Sequence, residues 1–468
     1  MPDPLATLEP IDIVAPSANE AYGLRQHILS PLEVLAQSVS TIAPSTTPPV
    51  TIALVFGLAG EGVWLAYAIA MTAMVLIAFC IAGFARDSAS PGSLYVYTRD
   101  TLPPVYAVIG AWALFFAYVV TGSSVAAGFI YFADPFLALM GLHIPAVVLA
   151  ALCLGGSAWV AYRDIKISTQ TMLWIEFISV ALIAVVIAIL IWKQGFHLDW
   201  PQWKLEGVTP VKIRLGVMLA LFSFVGFESA TTLGSEAREP LKTIPRAVVR
   251  SAFLAGLFFI ICAYGEVLGF RGVTPNLGEA KEPMRFLAAR AGIGFVTPFI
   301  NFGVLISMFA CTLGCVIAAA RVLLLMAHHG LAHKSFAVTH ADKETPSAAG
   351  VLTALLAFAP VAILAIHGSS AEDMYGWLGT LSVYGFMTAY GLVAVALPVH
   401  LHKTGRLSAG GIVLSVLATG AALAAIVGTI YPVPDAPYVY LPYIYLAYMA
   451  SGIAYWWVTV QKSRATAT

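Results

Sequence analysis

Charge is what this 468-residue chain most lacks: Asp, Glu, Lys and Arg make up only 10% of it, against 60% hydrophobic residues. So little charge cannot cover a water-exposed surface, and the composition belongs to the membrane class. The 24 basic and 24 acidic residues cancel, which removes the positive field that nucleic-acid binding needs. The five cysteines, Cys80, Cys153, Cys262, Cys311 and Cys315, are odd in number and all lie inside apolar runs, so no disulfide framework follows. Cys311 and Cys315 stand one helical turn apart, but no His or second Cys pair is near in sequence, and small packing residues explain them better than a metal does. There is no Gly-x-x-x-x-Gly-Lys-Ser/Thr loop to hold ATP. No nucleophile–base or metal spacing emerges either, so neither an enzyme, a metal nor a cofactor is expected. Residues 1–30 lack a basic-then-apolar leader, and no cleaved signal peptide is predicted.

What the chain has instead is apolar runs. A membrane span needs about 20 such residues, and candidates fall at 32–57, 62–85, 104–131, 144–162, 167–192, 212–234, 247–270, 294–326, 347–366, 374–397, 408–430 and 437–459. The fold predicted is an all-α integral membrane protein of about twelve spans. Turn and breaker clusters separate the runs at Gly60-Glu61-Gly62, Asp134-Pro135, Pro398 and Tyr431-Pro432-Val433-Pro434. With the N-terminus inside, the inner loops hold Arg86, Arg99, Arg163, Lys166, Arg238, Lys242, Arg246, Arg250, Lys334, Lys343, Lys403 and Arg406. The C-terminal tail adds Lys462 and Arg464. The short opposite loops 58–62, 132–143, 367–373 and 431–436 hold no Lys or Arg, so the positive-inside rule predicts a multi-pass cell (inner) membrane protein with both termini cytoplasmic.

Two spans are interrupted in their middles. The first breaks at Ala43-Pro44-Ser45-Thr46-Thr47-Pro48-Pro49, the sixth at Val225-Gly226-Phe227-Glu228-Ser229. An unpaired backbone group in lipid costs several kcal/mol, so a span breaks only where it lines a cavity or is buried in protein. Matched interruptions in two halves point to a transporter's binding site. Because five is odd, spans six to ten face the opposite way from spans one to five, which makes a 5+5 inverted repeat with two extra C-terminal helices. The chain then divides into a cytoplasmic segment (1–30), a first repeat (31–193), an external loop (194–211), a second repeat (212–397), two added spans (398–460) and a cytoplasmic tail (461–468).

The residues at the breaks suggest their chemistry. Pro44, Pro48 and Pro49 lack an N–H and free carbonyls; Ser45, Thr46 and Thr47 are strong helix-capping types. The second half of span one is therefore predicted to start near Thr47, its positive end able to hold a carboxylate. A proline kink in a packed helix is the plainer reading. Gly226 permits unwinding, and Glu228 near mid-membrane is a candidate proton carrier or ammonium partner, or a structural acid bonded to freed amides of span one. Glu176 either faces the core and couples to a proton or cation, or snorkels. Glu266, near an outer end, reads as a solvated cap or vestibule residue; Arg321, near an inner end, as a snorkelling one. Phe222, Phe224 and Phe227 cluster at the second break, with Phe222 the candidate lid. Tyr118, Ser307 and Thr312 are weaker pocket candidates, and Ser307 with Thr312 could contribute to a cation cage. His328, His329, His333 and His340 fall in an inner loop and read as solvated.

The stretch Phe222-Ser-Phe-Val-Gly-Phe-Glu-Ser-Ala, with Gly234-Ser-Glu-Ala-Arg-Glu-Pro-Leu-Lys-Thr-Ile-Pro-Arg-Ala247 behind it, resembles the amino acid–polyamine–organocation (APC) transporters. Pro91-Gly-Ser-Leu-Tyr-Val-Tyr97, the run from Ala318-Ala-Ala-Arg321 to Gly330, and Pro434-Asp-Ala-Pro437 are similar to the same family. The resemblance implies the five-plus-five fold and an amino acid permease, a secondary active transporter working by alternating access. It implies that a substrate carboxylate meets Pro44, Ser45 and Thr46, and that the amino group meets carbonyls near Phe222 and Val225. Glu228 matches a glutamate linked to proton-dependent cycling, and Phe222 an aromatic gate. Here Ala43-Pro44-Ser45 replaces the usual Gly-Ser-Gly turn, and Glu176 stands near where proton-driven relatives carry a lysine. The substrate expected is a small zwitterionic amino acid, with a polyamine or other organic amine as the alternative. The coupling ion expected is the proton, with sodium or substrate exchange as alternatives. Besides substrate, ion and membrane lipid, no partner is expected, and no nucleic acid.

Overall fold

The computed structural model describes residues 22–163, 165–195, 197–340, 343–431 and 433–467, with side chains for all of these except 139, 165–172 and 460–467. Residues 1–21 of the expected N-terminal segment, Pro432 of the last turn cluster and Thr468 of the tail lie outside the described residues. So do the side chains of Lys166, Lys462 and Arg464.

Among the described residues every element is a helix or turn, save one isolated bridge between Leu29 and Ala237. The order is α1 Pro31–Ile42, α2 Ile52–Ala59, α3 Val63–Ala85, α4 Ser93–Arg99, α5 Pro104–Leu139, α6 Ala146–Arg163, α7 Ile165–Lys193, α8 Trp200–Trp203 and α9 Pro210–Phe222. It continues with α10 Pro240–Gly269, α11 Pro283–Ala291, α12 Thr297–His328, α13 Ser347–Ile366, α14 Ala371–Lys403, α15 Ala409–Ile430 and α16 Leu441–Ala467. Ten stretches are long and apolar enough to cross a membrane, and the first of them, Pro31–Ala85, contains both of the first two expected spans. The last expected span, 437–459, falls on α16, which is not one of those ten stretches. Below, the end of the bundle where α1 begins is called proximal and the other end distal.

Packing follows the predicted repeat. With α1 and α2 as span one and α9 with the turn Phe227–Leu233 as span six, α3 packs on α10, α5 on α12 and α6 on α13, each helix against its own counterpart. The remaining pairs exchange under the same operation. The contact of α1 with α10 is matched by α9 with α3, α6 with α12 by α13 with α5, and α7 with α12 by α14 with α5. Such pairing is what an inverted repeat about an axis through the two breaks produces.

The first break falls at Ala43, where the predicted stretch begins, but the chain restarts earlier than predicted, and the second break begins two residues before its predicted stretch. Ala43 takes a left-handed conformation (φ 49°), and the chain restarts at once as a 3-10 turn, Pro44–Thr46, and a π turn, Thr47–Thr51, before α2. The second half of span one thus begins at Pro44, not near Thr47. Proline suits a first helical position, where its missing N–H has no partner to lose, and the wider π turn accommodates Pro48 and Pro49, which cannot donate within a regular ladder. In span six the helix ends at Phe222, Ser223–Gly226 are unwound, and a 3-10 turn takes over at Phe227. Gly226 is the pivot: its φ is +94°, and a Cβ there would stand 2.4 Å from Thr41 Cγ2 and 3.2 Å from the Thr41 carbonyl carbon. Gly226→Ala is expected to destabilise the protein by about 1–2 kcal/mol through the backbone alone, and by more where α1 is pushed away. A melting temperature unchanged from wild type in detergent would contradict this.

Two predicted breakers do not break. Asp134-Pro135 falls inside α5 and Pro398 inside α14. Pro398 cannot donate to the carbonyl of Ala394, but Ser415 Oγ does so from α15 at 2.7 Å, which removes the cost of an orphaned acceptor in an apolar environment.

Candidate functional site

The two breaks meet at the centre of the bundle and are stitched together by hydroxyls. Ser38 Oγ on α1 donates to the Phe227 carbonyl at 2.6 Å and accepts the Ala230 N–H at 3.3 Å. Ser229 Oγ reaches Thr41 Oγ1 at 3.0 Å, and Cys311 Sγ on α12 donates to the Thr41 carbonyl at 3.0 Å. The Phe227 carbonyl, the Ala230 N–H and the Thr41 carbonyl thus find side-chain partners at the breaks, as burial demands.

Between the breaks lies a cavity lined by Thr41, Ala43, Thr46, Thr47, Phe222, Val225 and neighbouring groups from α5, α12 and α14. It offers about 20 Å³, room for one water molecule. On its distal side the Phe222 ring meets Tyr375 edge-on at 5.5 Å, and Tyr375 O–H shares a hydrogen bond with Thr51 at 3.3 Å. Phe222 and Tyr375 thus pack together over the distal side of the cavity. Of the other residues singled out in the sequence, Pro44 and Ser45 sit at the new helix start, while Gly226, Phe227 and Glu228 lie behind the cavity wall. The Phe227 ring packs on Tyr390 at 5.4 Å.

The two carboxylates are both buried and divide their work differently from expectation. Glu176 Oε1 on α7 accepts the Ser45 N–H at 2.7 Å, and its Oε2 accepts from Ser307 Oγ. It faces the core; it does not snorkel. The acid that caps the freed amide of span one is Glu176, so Glu228 does not play the structural part suggested for it. Glu228 instead accepts from Tyr118 O–H on α5 at 2.6 Å and from Tyr390 O–H on α14. Tyr390 went unnoticed in the sequence. Ser307 and Thr312 do not share a cage: Ser307 is committed to Glu176, while Thr312 Oγ1 donates to Met308 O at 2.9 Å and faces Cys153 of α6.

Three further readings are corrected. Arg321 does not snorkel; it is 2% exposed and holds Glu236 with two bonds of 2.7 and 2.8 Å. The pair lies on the proximal side, where the Leu29 N–H donates to the Glu236 carbonyl at 2.9 Å and the Arg238 N–H to Leu29 O at 2.8 Å. Glu266 is not a solvated cap, being fully buried. Nor is His329 solvated: its Nε2 accepts from Arg99 at 2.6 Å and its Nδ1 faces the Tyr95 hydroxyl at 2.8 Å. Burial, and then the charges of Arg99 and His328, push His329 down from 6.5 to about 3. Because its folded value is depressed, stability tied to this ring is present above about 6.5 and is lost as pH falls from there towards 3. The melting temperature is therefore expected to drop less between pH 7 and pH 5 in His329→Gln than in wild type.

Two broken helices that face each other across a central cavity, in an inverted-repeat bundle, define a membrane carrier and not an enzyme. The sequence profile of the amino acid permease family matches residues 29–459, nearly the whole described chain, and the protein belongs to that family. Among curated relatives, the branched-chain amino acid permease BcaP of Bacillus subtilis is 24% identical over 320 residues, 64% of this chain and 67% of the relative. The methylthioribose transporter of the same organism is 24% identical over 371 residues, 75% of this chain and 76% of the relative. The solved structure of MhsT in complex with L-phenylalanine superposes with a TM-score of 0.56 at 18% identity, covering 86% of this chain and 99% of that one. At that identity the likeness is one of fold.

Proposed function

We propose that this protein moves a neutral amino acid across the cell membrane by alternating access, driven by the proton gradient, with both termini in the cytoplasm. The observation that carries the substrate class is the cavity lining. Threonine and serine hydroxyls and apolar side chains surround it, and no lining residue is an acid or a base. A zwitterion can satisfy its own charges on the backbone of Ser223 and Val225, which line the cavity, and on the helix start at Pro44, whereas the second ammonium of a polyamine would face no acid. An amine reading keeps one specific support: the Ser45 amide, expected to meet a substrate carboxylate, is already held by Glu176.

Proton drive fits the commitment of Ser307 to Glu176, which leaves the expected sodium cage without one of its oxygens. Alternating access fits a cavity with Phe222 packed over its distal side and the Arg321–Glu236 pair on the proximal side, because a carrier must close both ends at once. The test is uptake into proteoliposomes of L-leucine, L-phenylalanine and putrescine under imposed pH and sodium gradients. Saturable amino acid uptake that follows the pH gradient is the result expected. Unsaturable ion current would overturn the carrier reading, and a melting shift with amines alone would overturn the zwitterion.

A further inference from the structure

Of the carboxylates buried in the spans, Glu33 caps the start of α1 by accepting the Ser30 N–H at 2.7 Å, Glu176 and Glu228 belong to the breaks and Glu236 to the proximal ion pair; Glu266 has no such role. It stands on α10 one turn from the distal end, is 0% exposed, and neither of its oxygens has a hydrogen-bond partner among the described residues. Glu176 and Glu228, by contrast, have a donor on each oxygen. A carboxylate that stays ionised away from water needs a cation or a set of donors, and the surroundings of Glu266 supply neither. Tyr67 of α3 and Cys262, one turn back on α10, are titratable groups near it; Tyr264 on α10 accepts the Asp199 N–H through its hydroxyl, and the one acid of α1, which also packs on α10, is Glu33, bonded to the Ser30 N–H. From α7, Ile187 packs at Gly265 and Leu190 at Gly269; from α11, Leu287 packs at Gly269. The segment Pro44–Thr51, also against α10, contains no titratable residue. In the turn Phe227–Leu233 the one acid, Glu228, is held by its two tyrosines. The next cation along the chain, Arg271, is bound to Glu61 and Asp199.

We propose that Glu266 is a further proton-binding site, holding its proton in this arrangement and exchanging it with water on the distal side when the spans part. The inference rests on the proton-driven carrier reading and adds a third group to it. Tyr67 is its link to the moving part. The Tyr67 hydroxyl lies 3.2 Å from Ser223 Oγ, at the start of the unwound stretch of span six and on the cavity wall. A shift of span six therefore changes the surroundings of Glu266 without touching it.

The test uses the purified full chain. In its infrared spectrum at pH 7, Glu266→Gln is expected to remove one component of the carboxylic-acid C=O band, because an ionised carboxylate does not absorb there. Glutamine copies the shape and neutrality of a protonated glutamate, so this variant is expected to fold with a melting temperature within a few degrees of wild type. In proteoliposomes it is expected to keep saturable L-leucine uptake down its own gradient and to lose most of the stimulation by an imposed pH gradient, about tenfold. A band unchanged by the substitution, or a variant that fails to fold, overturns the proposal, since both mean that the charged form is the native one. Unchanged stimulation by the pH gradient overturns it too. If the wild type takes up no solute, the carrier reading falls, whatever the band does.

Discussion

Replacing Glu236 with alanine is expected to cost about 3–5 kcal/mol, because it leaves a guanidinium buried with no counter-charge. Arg321 would keep only its bond to the Ile317 carbonyl at 3.1 Å. Water cannot readily replace the lost partner where both side chains are 2–3% exposed. Removing both charges is a different matter. A paired substitution such as Arg321→Met with Glu236→Leu is expected to recover most of the loss, since the desolvation penalty of two ions roughly cancels their attraction. The measurement is the melting temperature of the two single variants and the double, read as a double-mutant cycle. Equal and additive losses would mean that the pair is not acting as a unit. The same substitutions bear on transport, because Glu236 is also tied through its backbone to the strand-like stretch around Leu29.

How much of this was legible in the sequence depends on whether a feature is local. A proline triplet and a Gly226 inside apolar runs are local, and they located both breaks to within a few residues. The offset arises because Pro44 begins a helix instead of ending one, and because the left-handed φ falls on Ala43, a residue type that gives no warning of it. Phe222 next to an unwound segment could be read as a lid for the same local reason. Partners were not legible. Glu228 announced itself as costly in lipid, but Tyr390 is 162 residues away and is one of 19 tyrosines, nothing near it marking it out. Arg321 and Glu266 were misread in one way. Distance from the end of a span says how far a side chain must reach for water, but not whether it points there. Arg321 turns inward to Glu236, and Glu266 turns inward to no hydrogen-bond partner among the described residues.

Glu176→Gln and Glu228→Gln are expected to separate what the two central acids do. In Glu176→Gln the amide oxygen can still accept the Ser45 N–H and the amide nitrogen can donate to Ser307 Oγ, so the helix start at Pro44 keeps its cap. What it loses is the attraction of a full negative charge for that positive helix end, about 0.3–2 kcal/mol. In Glu228→Gln two hydroxyls now face a neutral group, one of them across an N–H₂ that donates and does not accept. Hydrogen bonds to a charged acceptor contribute about 1.5–3 kcal/mol each, so the Tyr118–Glu228–Tyr390 cluster is the more sensitive of the two. Glu228→Gln is therefore expected to lower uptake driven by a pH gradient at least tenfold while leaving saturable counterflow measurable, and Glu176→Gln to lower it less. Tyr390→Phe, which removes one donor and keeps the ring against Phe227, is expected to fall between them. The measurement is initial uptake of L-leucine into proteoliposomes with and without an imposed pH gradient. If uptake follows sodium, ignores pH and survives both glutamine substitutions, these acids are structural, and the coupling ion must be sought elsewhere in the bundle.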